Sequence, residues 1–242
     1  MRAANQLVAQ ILEELAAMVA PGVTTAQLDA AAEAKVRAAG AEPAFKGYRG
    51  YPATLCASVN EQVVHGIPSA KPLAAGDIVS LDMGVKLDGY YGDSAVTVPV
   101  GVVAEEVRTL LRVTQEALGQ GIAQVKVGGR VSDIGHAIQA HVEAHGFSVV
   151  REFVGHGIGS SLHEEPQIAN YGEPGRGPRL AEGMTLAIEP MVNMGRPAVK
   201  VLADGWTAVT KDGSLSAHFE HTVAVTKDGP LVLTLRPVAA ER

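Results

Sequence analysis

The sequence predicts an α+β fold, with an antiparallel sheet covered by helices and built from an internal duplication. The phrase LAAGDIVSLD at 73–82 returns as LAEGMTLAIE at 180–189, and YGDSAVTV at 91–98 returns as HFEHTVAV at 218–225. Each half also places two helical patterns before its strands, an order that favours helices on one side of an antiparallel sheet. We therefore expect two similar halves facing each other across a pseudo-twofold axis.

The elements follow from local patterns. Apolar residues recur at helical spacing over 5–18, Pro21 and Gly22 end that helix, and Thr24 or Thr25 caps a second helix that runs to about residue 39. The dipeptide Asp88-Gly89 predicts a hairpin turn. The remaining predictions are a loop at 41–51, helices near 103–123 and 131–146, and strands near 54–58, 77–86, 90–99, 149–153, 184–193, 205–210, 216–226 and 230–235.

Length and composition set the class of protein. We expect one catalytic domain over 1–242, with repeat halves of approximately 1–105 and 106–242. The formal net charge of −6 and the lack of a basic cluster argue against nucleic-acid binding. One cysteine, Cys56, forbids an internal disulfide. Without a membrane-length apolar run or a signal-peptide pattern, the expectation is a cytoplasmic protein with no membrane partner.

Four acidic residues occupy equivalent places in the repeat. Asp82 corresponds to Glu189, and Asp93 corresponds to Glu220. Asp82 and Glu189 are flanked by apolar residues, where a lone charge would be costly to bury. If the halves face each other, the four carboxylates converge, and carboxylates packed closely stay ionised only when cations lie among them. The sequence therefore predicts a divalent metal site.

Histidines accompany the acids. His65 and His156 each begin a His-Gly-Ile phrase, one in each half, and His163 follows seven residues after His156. Glycines on both sides of His156 remove side-chain bulk, so its imidazole can approach a metal or substrate closely. A metal-ligand role for His156 follows as a hypothesis.

Three other motifs in the sequence would indicate different chemistry. His163-Glu164-Glu165-Pro166-Gln167 begins like a zinc-protease helix, but it lacks the second histidine and is interrupted by Pro166. Gly155-x-Gly157-x-Gly159 lacks the final spacing of a dinucleotide loop. Cys56 acting as a nucleophile with His65 as base stays open as a minor alternative, although no third orienting group is identifiable.

Together these motifs closely resemble type I methionine aminopeptidases over nearly the whole chain. The resemblance rests on Val64-His65-Gly66-Ile67-Pro68, Asp82 with Asp93, Gly155-His156-Gly157-Ile158-Gly159, His163-Glu164-Glu165-Pro166, Ile188-Glu189-Pro190-Met191 and Phe219-Glu220-His221-Thr222. It implies the two-fold "pita-bread" fold of that metallopeptidase family. It also implies removal of the initiator methionine from new polypeptides, with a preference for a small second residue.

The resemblance implies specific roles. Two divalent ions, of Co, Mn, Fe or Zn, would be held with Asp93 and Glu220 bridging; the five ligands would be Asp82, Asp93, His156, Glu189 and Glu220. Glu189 would accept a proton from the attacking water, His163 would bind the peptide carbonyl, and His65 would contact the scissile amide nitrogen. The substrate-binding residues would be His65, Tyr48, Tyr51, Cys56, Leu162, His163 and Trp206.

Two positions depart from the family pattern. Leu162 stands where the family commonly has Phe, and Phe45 stands where some members have a small residue or Cys. A slightly reshaped pocket that still prefers methionine is the expectation. The segment between His163 and Glu189 is too short for the insertion of type II enzymes, and we expect no N-terminal zinc-binding extension.

Two other functions stay open at this point. Proline-directed peptidases share the fold but usually carry an additional N-terminal domain, and a non-enzymatic scaffold would typically have lost metal ligands. The expected partners are the N-terminal methionine of peptides or nascent chains and, transiently, the ribosome, with the protein itself a monomer.

Overall fold

The computed structural model describes residues 1–235; the predicted second half ends with 236–242, which lie outside this part. Its helices are α1 (Arg2–Met18), α2 (Thr25–Ala38), α3 (Glu105–Ile122) and α4 (Val131–Ala144), and a 3₁₀ turn covers Tyr48–Gly50. Its strands are β1 (Glu42–Pro43), β2 (Leu55–Val59), β3 (Gln62–Val64), β4 (Ile78–Leu87), β5 (Tyr90–Pro99), β6 (Ser148–Val149), β7 (Gly155–Gly157), β8 (Glu164–Ile168), β9 (Thr185–Ile188), β10 (Met191–Asn193), β11 (Val199–Val201), β12 (Ala208–Thr210), β13 (Ser216–His218), β14 (Glu220–Thr226) and β15 (Gly229–Val232).

The main sheet is antiparallel and joins the two halves at its centre. Its strand order is β1-β4-β5-β14-β9-β7-β8, with β2 also paired to β4 and β15 to β14. Strands β4 and β5 belong to the first half, β14 and β9 belong to the second, and the halves meet where β5 pairs with β14. The predicted α+β architecture, with two similar halves about a pseudo-twofold axis, is confirmed.

Each half packs its two helices against its own part of the sheet. Alternate residues of β4, including Leu81 and Met83, lie in one core with Leu15 of α1 and Leu28 of α2. A second core packs α3 and α4 against the strands of the second half. Because side chains alternate along a strand, the residues between Leu81 and its neighbours face away from these helices. Asp82 is among them.

Local sequence explains where the helices begin. Thr24 caps α2 through a capping box, in which its side chain accepts from the Gln27 backbone and the Gln27 side chain accepts from the Thr24 backbone. The turn predicted at Asp88-Gly89 joins β4 to β5, with both residues at positive φ, as a tight hairpin requires. The four predicted helices and this hairpin are confirmed.

Several predicted strand boundaries were wrong. The predicted strand at 184–193 is broken at Pro190, which has no backbone N–H to give to the ladder, and the predicted strand at 216–226 is interrupted at Phe219. The strand predicted at 149–153 covers only Ser148–Val149, and those predicted at 205–210 and 230–235 are shorter, at Ala208–Thr210 and Gly229–Val232. Five short strands were missed: Glu42–Pro43 in the predicted loop, Gln62–Val64, Gly155–Gly157, Glu164–Ile168 and Val199–Val201.

Within residues 1–235, the helices include none that combines the length and the apolar character needed to cross a membrane.

Candidate metal centre and substrate cavity

Strand register brings carboxylates from both halves onto one face of the sheet. Asp82 on β4 lies opposite Ala95 on β5, and Ala95 lies opposite Glu220 on β14. Residues directly opposite each other in antiparallel strands point to the same face. Asp82 and Glu220 therefore project on the side of the sheet that α1 and α2 do not cover.

A neighbouring row adds a third carboxylate and an imidazole. Asp93 lies opposite Gly84, two residues from Asp82 on the same face. The Thr222 hydroxyl donates to the Asp93 backbone carbonyl at 2.8 Å, and Thr222 lies opposite Ala187, which lies opposite His156. One ligand atom from each of Asp93, His156 and Glu220 lies within 4.8 Å of the others, and all three residues are buried.

Glu189 lies beside this cluster, directly after β9. Its side chain approaches His156, with Oε1 3.7 Å from Nε2, and the same Nε2 lies 3.9 Å from Asp93 Oδ2. The Asn170 side chain donates to the Glu189 backbone carbonyl at 3.1 Å, which holds the chain where the ladder ends. Glu189 thus reaches the cluster from the point at which Pro190 interrupts the strand.

The tautomer of His156 leaves a lone pair aimed at the carboxylates. Its Nδ1 lies 2.9 Å from the Gly157 carbonyl, an acceptor, so we assign the proton to Nδ1. Nε2 is then unprotonated on the carboxylate side. A carbonyl on the second ring nitrogen is the usual way in which a metal-binding histidine is oriented.

Glycine on either side of His156 is required by close packing between strands. A Cβ at Gly155 would lie 2.3 Å from the Ala187 carbonyl oxygen, and a Cβ at Gly157 would lie 2.3 Å from the Glu165 carbonyl oxygen. Only glycine lets β7 approach its neighbours this closely while His156 points to the cluster.

The electrostatics of the cluster favour a bound cation. Asp82 Oδ1, Asp93 Oδ1 and Glu220 Oε1 are buried, and none of them has a hydrogen-bond partner among residues 1–235. Burial, followed by the neighbouring carboxylates, raises the pKa of all three groups well above the usual range. Unpaired oxygen donors and one imidazole nitrogen form a set that Mn, Fe, Co or Zn can accept. The residues therefore fit a divalent metal centre.

A cavity of about 210 Å³ opens onto the cluster. Its wall includes every residue that was predicted from the sequence to be a metal ligand or a substrate contact. These are Tyr48, Tyr51, Cys56, His65, Asp82, Asp93, His156, Leu162, His163, Glu189, Trp206 and Glu220. Phe45, Arg49, Val64, Phe153 and Val154 complete the lining. The carboxylates lie beside a space that is walled mainly by aromatic and aliphatic groups.

His163 stacks between the cluster and the cavity wall. Its ring centroid lies 4.2 Å from that of His156 and 5.2 Å from that of Tyr48, and its Nδ1 lies 3.0 Å from the Tyr48 hydroxyl oxygen. Burial, and then the proximity of His156, lowers the pKa of His163 to about 4. His163 is therefore neutral near pH 7.

His65 occupies another part of the wall in a strained conformation. Its φ is +59°, a left-handed value that is uncommon for residues other than glycine. Its ring meets Phe153 and Trp206 edge-on, with centroids 5.3 and 6.3 Å away. Burial lowers the pKa of His65, so it too is held toward the neutral form. His65 follows β3 whereas His156 lies within β7, so the shared His-Gly-Ile phrase occupies different structural places.

The apolar part of the cavity forms around Tyr51. Its hydroxyl lies 3.1 Å from the Leu55 carbonyl and 2.9 Å from the Gly66 carbonyl, and its ring meets Trp206 edge-on at 5.2 Å. Cys56 is buried, and burial, with Asp82 beside it, raises the pKa of its thiol. A thiol held neutral is a poor nucleophile. The burial of Cys56 therefore disfavours the cysteine-nucleophile hypothesis.

His218 was not predicted from the sequence as a site residue. This residue is 1% exposed, and its Nε2 lies 3.5 Å from Glu189 Oε2. The usable pattern was its position two residues before Glu220, which in an extended segment places both side chains on one face. In the structure, the chain is interrupted at Phe219 between these two residues.

A buried group of carboxylates and imidazole beside an apolar cavity is the arrangement of a metal-dependent hydrolase. The model of metallopeptidase family M24 matches residues 1–227. The chain is 54% identical over 234 residues to methionine aminopeptidase 1 of Bacillus subtilis, covering 97% of this chain and 94% of that protein. It is 49% identical to methionine aminopeptidase 1 of Mycobacterium tuberculosis, covering 97% and 91%.

Solved structures agree with these relatives. The methionine aminopeptidase of Thermotoga maritima superposes with a TM-score of 0.96 at 49% identity, covering 98% of this chain and 95% of that one. The prolidase of Pyrococcus furiosus, at 23% identity and a TM-score of 0.79, shares the fold, and this chain covers 63% of it. This chain belongs to the methionine aminopeptidases of metallopeptidase family M24, and the expected pita-bread fold is confirmed.

Proposed function

We propose that this protein removes the N-terminal initiator methionine from nascent polypeptides with a small second residue, by metal-assisted attack of water on the first peptide bond. The observation that carries the proposal is the convergence of Asp93, His156 and Glu220 from both halves of the chain on one buried point. The methionine aminopeptidase relatives support the choice of substrate.

For the metal centre, we propose two divalent ions of Mn, Fe, Co or Zn. The ligands would be the three residues of the buried cluster and two residues beside it: Asp82, Asp93, His156, Glu189 and Glu220. Asp93 and Glu220, which come from the two central strands where the halves meet, would be among the residues that hold the ions. When bound, such a pair supplies a water whose pKa falls into the neutral range.

The protein's own groups would handle the protons. Glu189 has two carboxylate oxygens and is more exposed than the three orphaned carboxylates, so it is the group best placed to take a proton from the attacking water. The Tyr48 hydroxyl can donate to His163 Nδ1, which leaves the proton of neutral His163 on Nε2. From there it would be donated to the peptide carbonyl as negative charge develops.

His65 would act on the leaving side of the bond. Phe153 and Trp206 fix its ring in the cavity wall, and the positive φ directs the backbone around it. A neutral imidazole held there would contact the scissile amide nitrogen and assist departure of the amine.

The side chain of methionine would occupy the apolar part of the cavity. Tyr51, Cys56 and Trp206 offer aromatic faces and sulfur, which suit a polarizable thioether, and Tyr48 and Leu162 close the wall. Both departures from the family pattern, Leu162 and Phe45, line this cavity. We expect them to reshape it slightly without changing the preference for methionine.

The test is release of free methionine from a Met-Ala-Ser peptide after chelation, and again with Mn, Fe, Co or Zn restored, beside Met-Pro and Ala-Pro peptides. Metal-dependent release from Met-Ala-Ser, lost in Asp93→Asn and retained in the exposed control Glu173→Gln, is the expected result. Cleavage confined to the X-Pro bond would indicate a proline-directed peptidase instead. No cleavage despite bound metal would favour a scaffold.

Substrate choice has its own test. Leu-Ala-Ser and Phe-Ala-Ser peptides cleaved as efficiently as Met-Ala-Ser, measured by kcat/KM, would contradict the methionine pocket. The proposal further makes the protein a cytoplasmic monomer that meets its substrates at or near the ribosome. Size-exclusion chromatography with light scattering and co-sedimentation with ribosomes examine these two points separately.

A further inference from the structure

The environment of His218 is unusual for a buried residue. In the described part of the chain its Nε2 has no hydrogen-bond partner, although polar atoms in protein interiors are almost always paired. The nearest charged group is Glu189, whose Oε2 lies 3.5 Å from Nε2. This distance is slightly longer than a typical hydrogen bond.

The backbone of His218 is fixed to the first half of the chain. The Thr97 hydroxyl donates to the His218 carbonyl at 2.8 Å and accepts from the His218 N–H at 2.8 Å. Because the Thr97 proton is used in this way, the Ser80 hydroxyl, 2.8 Å from Thr97 Oγ1, must donate to it. His218 also lies opposite Met191, two residues after Glu189. Its imidazole is therefore built on rigid elements.

The Glu189 carboxylate lies between two imidazoles. Oε1 is 3.7 Å from His156 Nε2, on the side of the cluster, and Oε2 is 3.5 Å from His218 Nε2. We infer that His218 is a positioning residue, whose Nε2–H holds Oε2 so that Oε1 is presented to the metal centre. The inference rests on the proposed function of Glu189, and it requires only a neutral imidazole as donor.

The first effect of this contact would be on metal affinity, and its effect on catalysis would follow from that. A carboxylate with a fixed orientation loses less conformational freedom when it binds an ion, and removing a partner of a metal ligand typically weakens metal binding about 10–100-fold. The binding of a substrate side chain in the cavity, in contrast, does not involve His218, which is not part of the cavity lining.

Three substitutions separate hydrogen bonding from packing. His218→Gln keeps an N–H donor at similar reach, His218→Asn keeps an amide but is shorter, and His218→Leu removes the donor. Calorimetric titration of the metal-free proteins with Mn measures metal affinity without any peptide. The visible absorption spectrum of the Co-loaded proteins reports ligand geometry. His221→Gln makes the same change at a half-buried histidine that hydrogen-bonds Thr234 instead.

The expected result is metal affinity within about threefold of the parent for His218→Gln and His221→Gln, and at least tenfold weaker for His218→Asn and His218→Leu. With Met-Ala-Ser, kcat should fall in the same order with little change in KM. Equal metal affinities for His218→Gln and His218→Asn would overturn the inference. The comparison of these two variants tests the inference even if His218→Leu does not fold. A parent protein that binds Mn but cleaves no peptide would refute the proposed function while leaving the affinity comparison valid.

Discussion

Replacing Glu220 by Gln removes one charge from a crowded cluster and should stabilise the metal-free protein. The ligand atoms of Asp93 and Glu220 lie within 4.8 Å of each other, where two negative charges repel by about 3.5 kcal/mol at an effective dielectric constant of about 20. Proton uptake by the folded protein relieves part of this repulsion. Since Glu220 Oε1 has no hydrogen-bond partner to lose among the residues that the structure describes, the free energy of unfolding should rise by about 1–2 kcal/mol.

The same cluster sets the sign of the pH dependence. The pKa values of Asp82, Asp93 and Glu220 are higher in the folded protein than in the unfolded chain, chiefly because of burial. The folded state therefore binds more protons, and the stability of the metal-free protein falls as pH rises from about 4, where the unfolded groups ionise, through neutral pH. Glu220→Gln should show a shallower fall.

Urea unfolding in the presence of a chelator, at pH 5 and pH 7.5, measures both effects. The stabilisation by Glu220→Gln should be larger at pH 7.5, and added Mn should stabilise the parent but not the variant. Glu173→Gln, on an exposed loop, is the matched change outside the cluster and should alter stability little at either pH. A metal-free Glu220→Gln protein less stable than the parent at pH 7.5 would refute the electrostatic argument.

Three further predictions concern the helices and His163. In α3, Gly119→Ala should stabilise the protein by roughly 0.5–1 kcal/mol, because its Cβ would meet no described residue within 4 Å. Gly121→Ala should destabilise the protein, because its Cβ would lie 2.9 Å from Ile138. The midpoints of denaturant unfolding compare the two variants. Thr24→Ala should cost about 1 kcal/mol in the same assay through loss of the α2 capping box, and an unchanged midpoint would contradict this. His163→Ala should lower kcat about 10²-fold or more without altering the shape of the pH–rate profile between pH 5 and 8, because the pKa of His163 is about 4; loss of an inflection in that range would show that His163 titrates there.

The sequence was most informative where a single periodicity governs a long segment. The four helices and the hairpin at Asp88-Gly89 were predictable because amphipathic spacing and turn chemistry act locally. The interruption of the strand at Phe219 was not predictable, because the residues that flank it continue an apolar alternation. Short strands such as Gln62–Val64 depend on pairing with a distant partner, Ala208–Thr210, and three residues carry too little pattern to reveal this.

The candidate site was predictable where the duplication doubled the information. Each acid alone resembled an ordinary surface or turn residue, yet Asp82 with Glu189 and Asp93 with Glu220 recur at equivalent places, and chance seldom repeats a carboxylate within an apolar strand. His218 has no counterpart of this kind. Its approach to Glu189 depends on the pairing of β10 with β13, a tertiary fact that sequence spacing does not contain.

The duplication also explains why a nearly symmetric fold can hold an asymmetric site. The central strands β5 and β14 contribute one carboxylate each, and the strands outside them, β4 and β9, lead to one more each. Beyond these, symmetry ends: β2 places Cys56 opposite Asp82, whereas β7 places His156 opposite Ala187, two residues before Glu189. A peptide bond has two chemically different ends, so a symmetric carboxylate cluster cannot by itself orient a peptide. The unlike outer strands can do so, because one side of the site offers an apolar wall and the other offers imidazoles.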